Sequence, residues 1–257
     1  MKIKLACLIL LAFHCAAFTQ DTQRESHLKP VNENGKWGYA DRSGRVIIAA
    51  QFDAAHPFAD GLAQVGVVDE ALPELQGRPN LKWGYIDERG RVLVELRYAV
   101  LRSFSENLAA AALLDVKKPI RSISGRAIER RNLKWGYVDR SGREVISFQF
   151  LNAGDFSEGL AAVNVGGVKE SHCGPSSNYG YIDNTGAFII QPQFAGAAGF
   201  QNGRARVSVG RMDYVGRCVC CGPRFRGKYG QVDRSGNFIA DESSTDNSTF
   251  DFEDRDN

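Results

Sequence analysis

The sequence predicts an all-β fold: tandem repeats of short antiparallel strands stacked as a curved, solenoid-like array, with a closed propeller-like ring as the alternative. Three observations predict it. The nine-residue unit Lys36-Trp37-Gly38-Tyr39-Ala40-Asp41-Arg42-Ser43-Gly44 recurs along the chain, and all three tryptophans occupy one position of it. Its copies start 44 to 52 residues apart, the period of an architecture whose units bury their apolar faces only against one another. Within each copy, large and small side chains alternate as in a strand, and turn residues close the alternation.

The elements follow in order. Residues 1–20 read as a secretory signal peptide: Lys2 and Lys4 precede the apolar run Leu5–Phe13, and the small residues Cys15, Ala16 and Ala17 follow. That run is too short to span a bilayer, which takes about 20 residues, and no other segment is apolar enough to be a transmembrane helix. Residues 21–35 form a polar leader, expected to be loose. Residues 36–240 hold five repeats, at about 36–81, 82–133, 134–177, 178–227 and 228–240, the last truncated. The second and third open on Lys82-Trp83-Gly84-Tyr85-Ile86-Asp87 and Lys134-Trp135-Gly136-Tyr137-Val138-Asp139. The fourth and fifth open on Asn178-Tyr179-Gly180-Tyr181-Ile182-Asp183 and Lys228-Tyr229-Gly230-Gln231-Val232-Asp233.

Each Asp opens a turn that a glycine closes three residues later, because Asp accepts backbone amides just ahead of it and Gly takes positive φ. The segment after it reads as the returning strand of a hairpin. An aromatic stands 11 residues beyond the Asp (Phe52, Tyr98, Phe150, Phe194) and another 17 beyond (Phe58, Phe104, Phe156, Phe200). Gly61, Asn107, Gly159 or Gly203 comes next, then a third strand beginning near Ala63, Ala109, Ala161 or Ala205. Each unit is thus expected to be three strands, and stacking is expected to join the rings into one continuous core. The fifth copy, ending at Phe238-Ile239, is expected to pair with the fourth and cap the array. Four insertions of unequal length separate the copies and should emerge along one edge. Residues 241–257 form an acidic tail with a net charge of −6, expected to be disordered.

In these units the chain resembles the WG-repeat family, also called KWG repeats, of bacterial proteins. The resemblance covers about residues 36–240 and departs at Tyr179 and Tyr229, which replace Trp, and at Gln231, which replaces the second aromatic. It implies β-rich repeats of largely unassigned role with no family-wide active site, so it supplies no catalytic residue.

The residues themselves point away from catalysis. No Gly-x-Ser-x-Gly, His-Glu-x-x-His or phosphate-binding glycine loop is present, and no cofactor is expected. The five turn aspartates read as backbone caps, since one carboxylate per repeat is a poor calcium site. Beyond the leader region lie four cysteines, Cys173, Cys218, Cys220 and Cys221, candidates for disulfides in an exported protein. With His172 they form the alternative, a metal site whose spacing matches no usual Cys-x-x-Cys pair. The second insertion places Lys117, Lys118, Arg121, Arg126, Arg130 and Arg131 against only Asp115 and Glu129, a candidate partner-binding loop for an acidic partner. Residues 21–240 carry a mild net charge of +6, which gives no argument for nucleic acid. The expected function is a non-catalytic exported binding module, in the periplasm, at the cell surface or outside the cell, holding a protein or cell-envelope component by its insertions. The alternatives are a structural spacer of the envelope and a carbohydrate binder using exposed rings.

Overall fold

The structure is a computed structural model that describes residues 27–70, 80–114, 133–166, 170–171, 174–175, 178–214 and 223–241. No helix occurs among them. The polar leader is not all loose. It supplies β1 (Lys29–Glu33), which turns at Asn34-Gly35 and pairs along its whole length with β2 (Lys36–Ala40). Strand β3 (Val46–Phe52) returns on the other side of β2, giving a three-stranded sheet in the order β1-β2-β3.

Four four-stranded antiparallel sheets follow. The second sheet runs β4 (Ala54–Ala55), β5 (Leu62–Val68), β6 (Leu81–Asp87) and β7 (Val92–Tyr98). The third contains β8 (Val100–Leu101), β9 (Leu108–Leu114), β10 (Leu133–Asp139) and β11 (Glu144–Phe150). The fourth contains β12 (Asn152–Ala153), β13 (Ala161–Asn164), β16 (Tyr179–Ile182) and β17 (Phe188–Phe194), with a small hairpin, β14 (Glu170–Ser171) and β15 (Gly174–Pro175), set between β13 and β16. The fifth comprises β18 (Gly196–Ala197), β19 (Arg204–Tyr214), β20 (Pro223–Asp233) and β21 (Phe238–Ala240). Each sheet keeps chain order, and among the described residues no pairing closes the set into a barrel.

The sheets are out of phase with the sequence repeats. Strand β5 belongs to the first sequence copy and β6 to the second, and they pair directly, with Val65 opposite Gly84. Every later sheet is shared between two copies in the same way. The three-strand unit read from the sequence is therefore real as a string of strands but is not the folding block. The fifth copy behaves as expected: β20 pairs with β19 of the fourth.

A bulge explains the Trp-Gly-Tyr pattern. Opposite Trp37-Gly38-Tyr39 the partner jumps from Phe52 to Ile48, so the return strand fits extra residues against the glycine. A Cβ on Gly38 would strike the Ile48 carbonyl, and one on Gly136 would lie 2.6 Å from the Ile146 carbonyl. The shift recurs at the second, third and fourth copies.

The core is four clusters, one between each pair of consecutive sheets, rather than one continuous stack. Tyr39, Ile48 and Phe52 of the first sheet meet Ala63, Val65 and Ile86 of the second, and the later interfaces repeat this arrangement. The alternation of a strand directs it: each unit's Tyr faces the sheet ahead, and the next residue faces the sheet behind. Inclined ring contacts recur across each interface, with Tyr39 and Phe58, Tyr85 and Phe104, Tyr137 and Phe156, and Tyr181 and Phe200 at centroid distances of 4.8, 4.9, 4.8 and 4.9 Å. Burying one such ring stabilises by roughly 1.5–3 kcal/mol. Two positions that differ from their counterparts, Ala40 in the first copy and Gln231 in the fifth, lie in the first and last described sheets for this reason. Ala40 stands where later copies place Ile86, Val138, Ile182 and Val232, with no sheet behind it among the described residues. Gln231 stands where Tyr would face a sheet ahead, and none follows among the described residues.

Candidate functional site

Strand register sorts the connections to two ends of every sheet. Strands β5 and β6 pair from Leu62 opposite Asp87 to Val68 opposite Leu81. The first end carries the Asp and Gly turns, and the other carries the insertion. Leu114 opposite Leu133, Asn164 opposite Tyr179, and Tyr214 opposite Pro223 mark the same insertion end in the later sheets. All four insertions thus leave from one end, as their places in the repeat predict.

The base of this end is firmly built. The Lys36 ammonium lies 2.6 Å from Asp53, whose other oxygen accepts the Val68 amide at 2.9 Å. Burial pushes the Asp53 carboxyl up, but the Lys36 and Val68 bonds outweigh it and hold the group below the usual aspartate value. Lys82 pairs with Asp69 at 3.0 Å. Across the third insertion, the Asn164 side-chain oxygen accepts the Gly166 and Asn178 amides at 2.8 and 3.1 Å. The tryptophans stand at this end: the Trp83 ring centroid is 5.5 Å from that of His56, and the Arg102 guanidinium lies 5.3 Å from the centre of the Trp135 ring.

Lys117, Lys118, Arg121, Arg126, Arg130 and Arg131 lie outside the described residues, in the connection between β9 and β10. So do His172 and Cys173, between β14 and β15, and Cys218, Cys220 and Cys221, between β19 and β20. Two of the connections that hold cysteines are therefore β-hairpins rooted in neighbouring sheets.

At the opposite end the aspartates act as read. Asp139 Oδ1 accepts the amides of Ser141 at 2.9 Å and Arg143 at 3.1 Å, and the Ser141 hydroxyl at 2.6 Å. The Ser141 hydroxyl bond contributes most to holding the Asp139 carboxyl below its ordinary value; the Ser43 and Thr185 hydroxyls do the same for Asp41 and Asp183. Among the described residues no group of three His, Cys, Asp or Glu side chains is placed to hold a metal.

Sequence reasoning missed a second feature of this end, a ladder between the Gly turns. These are two-residue hairpins with positive φ at both central positions: Asp60-Gly61, Glu106-Asn107, Glu158-Gly159 and Asn202-Gly203. The Ser105 hydroxyl donates to the Phe156 carbonyl and the Ser157 hydroxyl to the Phe200 carbonyl, each at 2.6 Å. The Glu106 carboxylate accepts the Gly159 amide at 3.0 Å, and Glu158 accepts that of Gly203 at 2.8 Å. Arg140 and Arg234 brace the ladder, donating to the Asp60 and Glu158 carbonyls. The sequence signal was the repeated Ser-Glu ahead of Asn107 and Gly159.

Large exposed apolar residues are all aliphatic among the described residues, including Ile47, Leu93, Ile189 and Ile239. The Trp, Tyr and Phe rings of residues 28–210 whose burial is described are buried or half-buried. The family model for the WG containing repeat matches residues 37–67, 83–113, 135–168 and 179–211. No curated protein and no solved structure matches the chain.

Proposed function

The chain belongs to the WG containing repeat family, and from that premise we propose that it is a non-catalytic, exported binding module holding its partner along the insertion end. The observation that carries this reading is the shared exit of four insertions, unequal in length and composition, from one end of a braced scaffold. Loops on a rigid frame are where recognition usually resides. The six basic residues of the second insertion favour an acidic protein or envelope component. A bridge from Cys173 to one of Cys218, Cys220 or Cys221 would tie two hairpins of this surface together, with a metal held by His172 and the cysteines as the alternative. A sugar-stacking surface has less support, because all three tryptophans and the unit tyrosines Tyr39, Tyr85, Tyr137 and Tyr181 are buried or half-buried.

The test replaces residues 115–132 with a neutral linker of equal length. Pull-downs from envelope extracts with the native chain are expected to yield partners that salt elutes, and the replaced chain is expected to lose them. If every partner remains, the binding reading fails. Mass spectrometry of the unreduced, oxidised protein is expected to find a bridged Cys173; four free thiols would rule out the staple.

A further inference from the structure

The outward face of the last sheet departs from the pattern of the others. Ala205, Val207 and Val232 pack toward the fourth sheet, so by strand alternation Arg204, Arg206 and Gln231 face the opposite way. Leucine stands at the Arg204 position in the three preceding sheets, as Leu62, Leu108 and Leu160. Arg204 donates to the Gln231 side-chain oxygen at 3.5 Å. Arg206 pairs with the Asp241 carboxylate at 3.7 Å, and the Asp241 amide donates to the Tyr229 carbonyl at 3.0 Å.

A polar outer face suits the end of an array and by itself implies no ligand. Three further observations identify one. Asp241 begins the acidic tail and already touches this face. Residues 204–234 contain eight Lys or Arg against two Asp, a net of +6, and residues 241–257 have a net of −6. The 16 residues from 242 to 257 extend to about 50 Å at roughly 3.3 Å each. An 11-residue strand such as β19 is about 36 Å long, so the tail can traverse the face.

We propose that the segment 242–257 of the same chain docks on the Arg204–Arg206–Gln231 face, covering the side where every other sheet has a neighbour. Its acidic residues match the arginines, and Phe250 and Phe252 supply rings to set beside half-buried Tyr229. The contact is electrostatic and exchangeable, so the end face opens when salt or a stronger polyanion competes.

The experiment uses a labelled synthetic peptide of residues 242–257, followed by fluorescence anisotropy at low ionic strength. The chain truncated after Asp241 is expected to bind it. The full chain, whose own tail competes at high effective concentration, is expected to bind at least about tenfold more weakly. Arg204→Glu with Arg206→Glu in the truncated chain is expected to weaken binding by at least about tenfold. Arg204→Lys with Arg206→Lys retains the charge and is expected to retain binding, and circular dichroism checks that each variant folds. No binding by the truncated chain, or equal binding by the full chain, would overturn the proposal. Tail-dependent dimerisation in sedimentation would overturn it too, since the tail would then serve a second copy.

Discussion

An alanine at Gly136 would place its Cβ 2.6 Å from the Ile146 carbonyl, against backbone that cannot swing aside. Gly136→Ala is therefore expected to destabilise by about 3 kcal/mol or more. Gly44→Ala meets nothing within 4 Å but inherits a φ of 83°, and should cost about 1 kcal/mol. Denaturant unfolding of the two variants separates crowding from backbone strain. The buried tyrosines offer a second test. Tyr39, Tyr85, Tyr137 and Tyr181 each donate a hydroxyl proton to the carbonyl 17 residues ahead, at 2.7–3.1 Å. Burial raises all four above the ordinary tyrosine value, Tyr85 to about 12. The unfolded chain gives up these protons first, so stability is full below about pH 10 and falls as pH rises through the folded values. Tyr137→Phe is expected to lose about 1 kcal/mol at neutral pH, leaving the Gly154 carbonyl unpaired, and to soften the alkaline limb of the pH–stability curve. The turn aspartates act at the other limit. Their folded values lie below the ordinary one, so their contribution is full above about pH 4 and fades as pH falls through the folded values. The tyrosines were legible as a repeating aromatic. Their bonds were not, because every residue has a carbonyl and no residue type marks the acceptor.

Among elements, the turn ladder makes a directional prediction. Ser105 and Ser157 each bond to the carbonyl of the next copy's aromatic, but the first Gly turn has Ala59 at that place. Ala59→Ser should supply the missing donor to Phe104 and stabilise by about 0.5–1.5 kcal/mol; Ser157→Ala should lose a similar amount. Urea titrations of both variants measure the pair, and an unchanged Ala59→Ser would show that the first turn lies out of register with the ladder. The strands themselves were legible from alternation, Asp turns and glycines. Their partners were not. Strand pairing within a copy and pairing between copies bury the same residues with the same period, so Leu62–Val68 gives no sign that it belongs beside Leu81–Asp87. The insertion end was legible from the places of the insertions in the repeat, whereas its anchors were not: Asp53 reaches the Val68 amide 15 residues on, and Asn164 the Asn178 amide 14 residues on, across a variable loop.

For the whole molecule, β1 stands in the first sheet where the third strand of a preceding copy would be. Pro30 lies within it on the unpaired edge, where the missing amide discourages a further strand. Removing residues 27–35 should expose one side of β2, lower the denaturation midpoint and promote aggregation visible by light scattering. Gln231 was present in the sequence as a departure from the unit and Ala40 passed unremarked, and only the order of sheets relates both to the ends of the described array. The sharing of the later sheets between two copies also governs how the molecule responds to force. A repeat that formed its own sheet could be peeled from the array alone. Here each of the first four copies is stitched into two sheets, so pulling on the termini loads several ladders at once, and none of these copies can be drawn out without tearing its neighbours. In an optical trap the chain should yield in one or two large steps rather than five small ones.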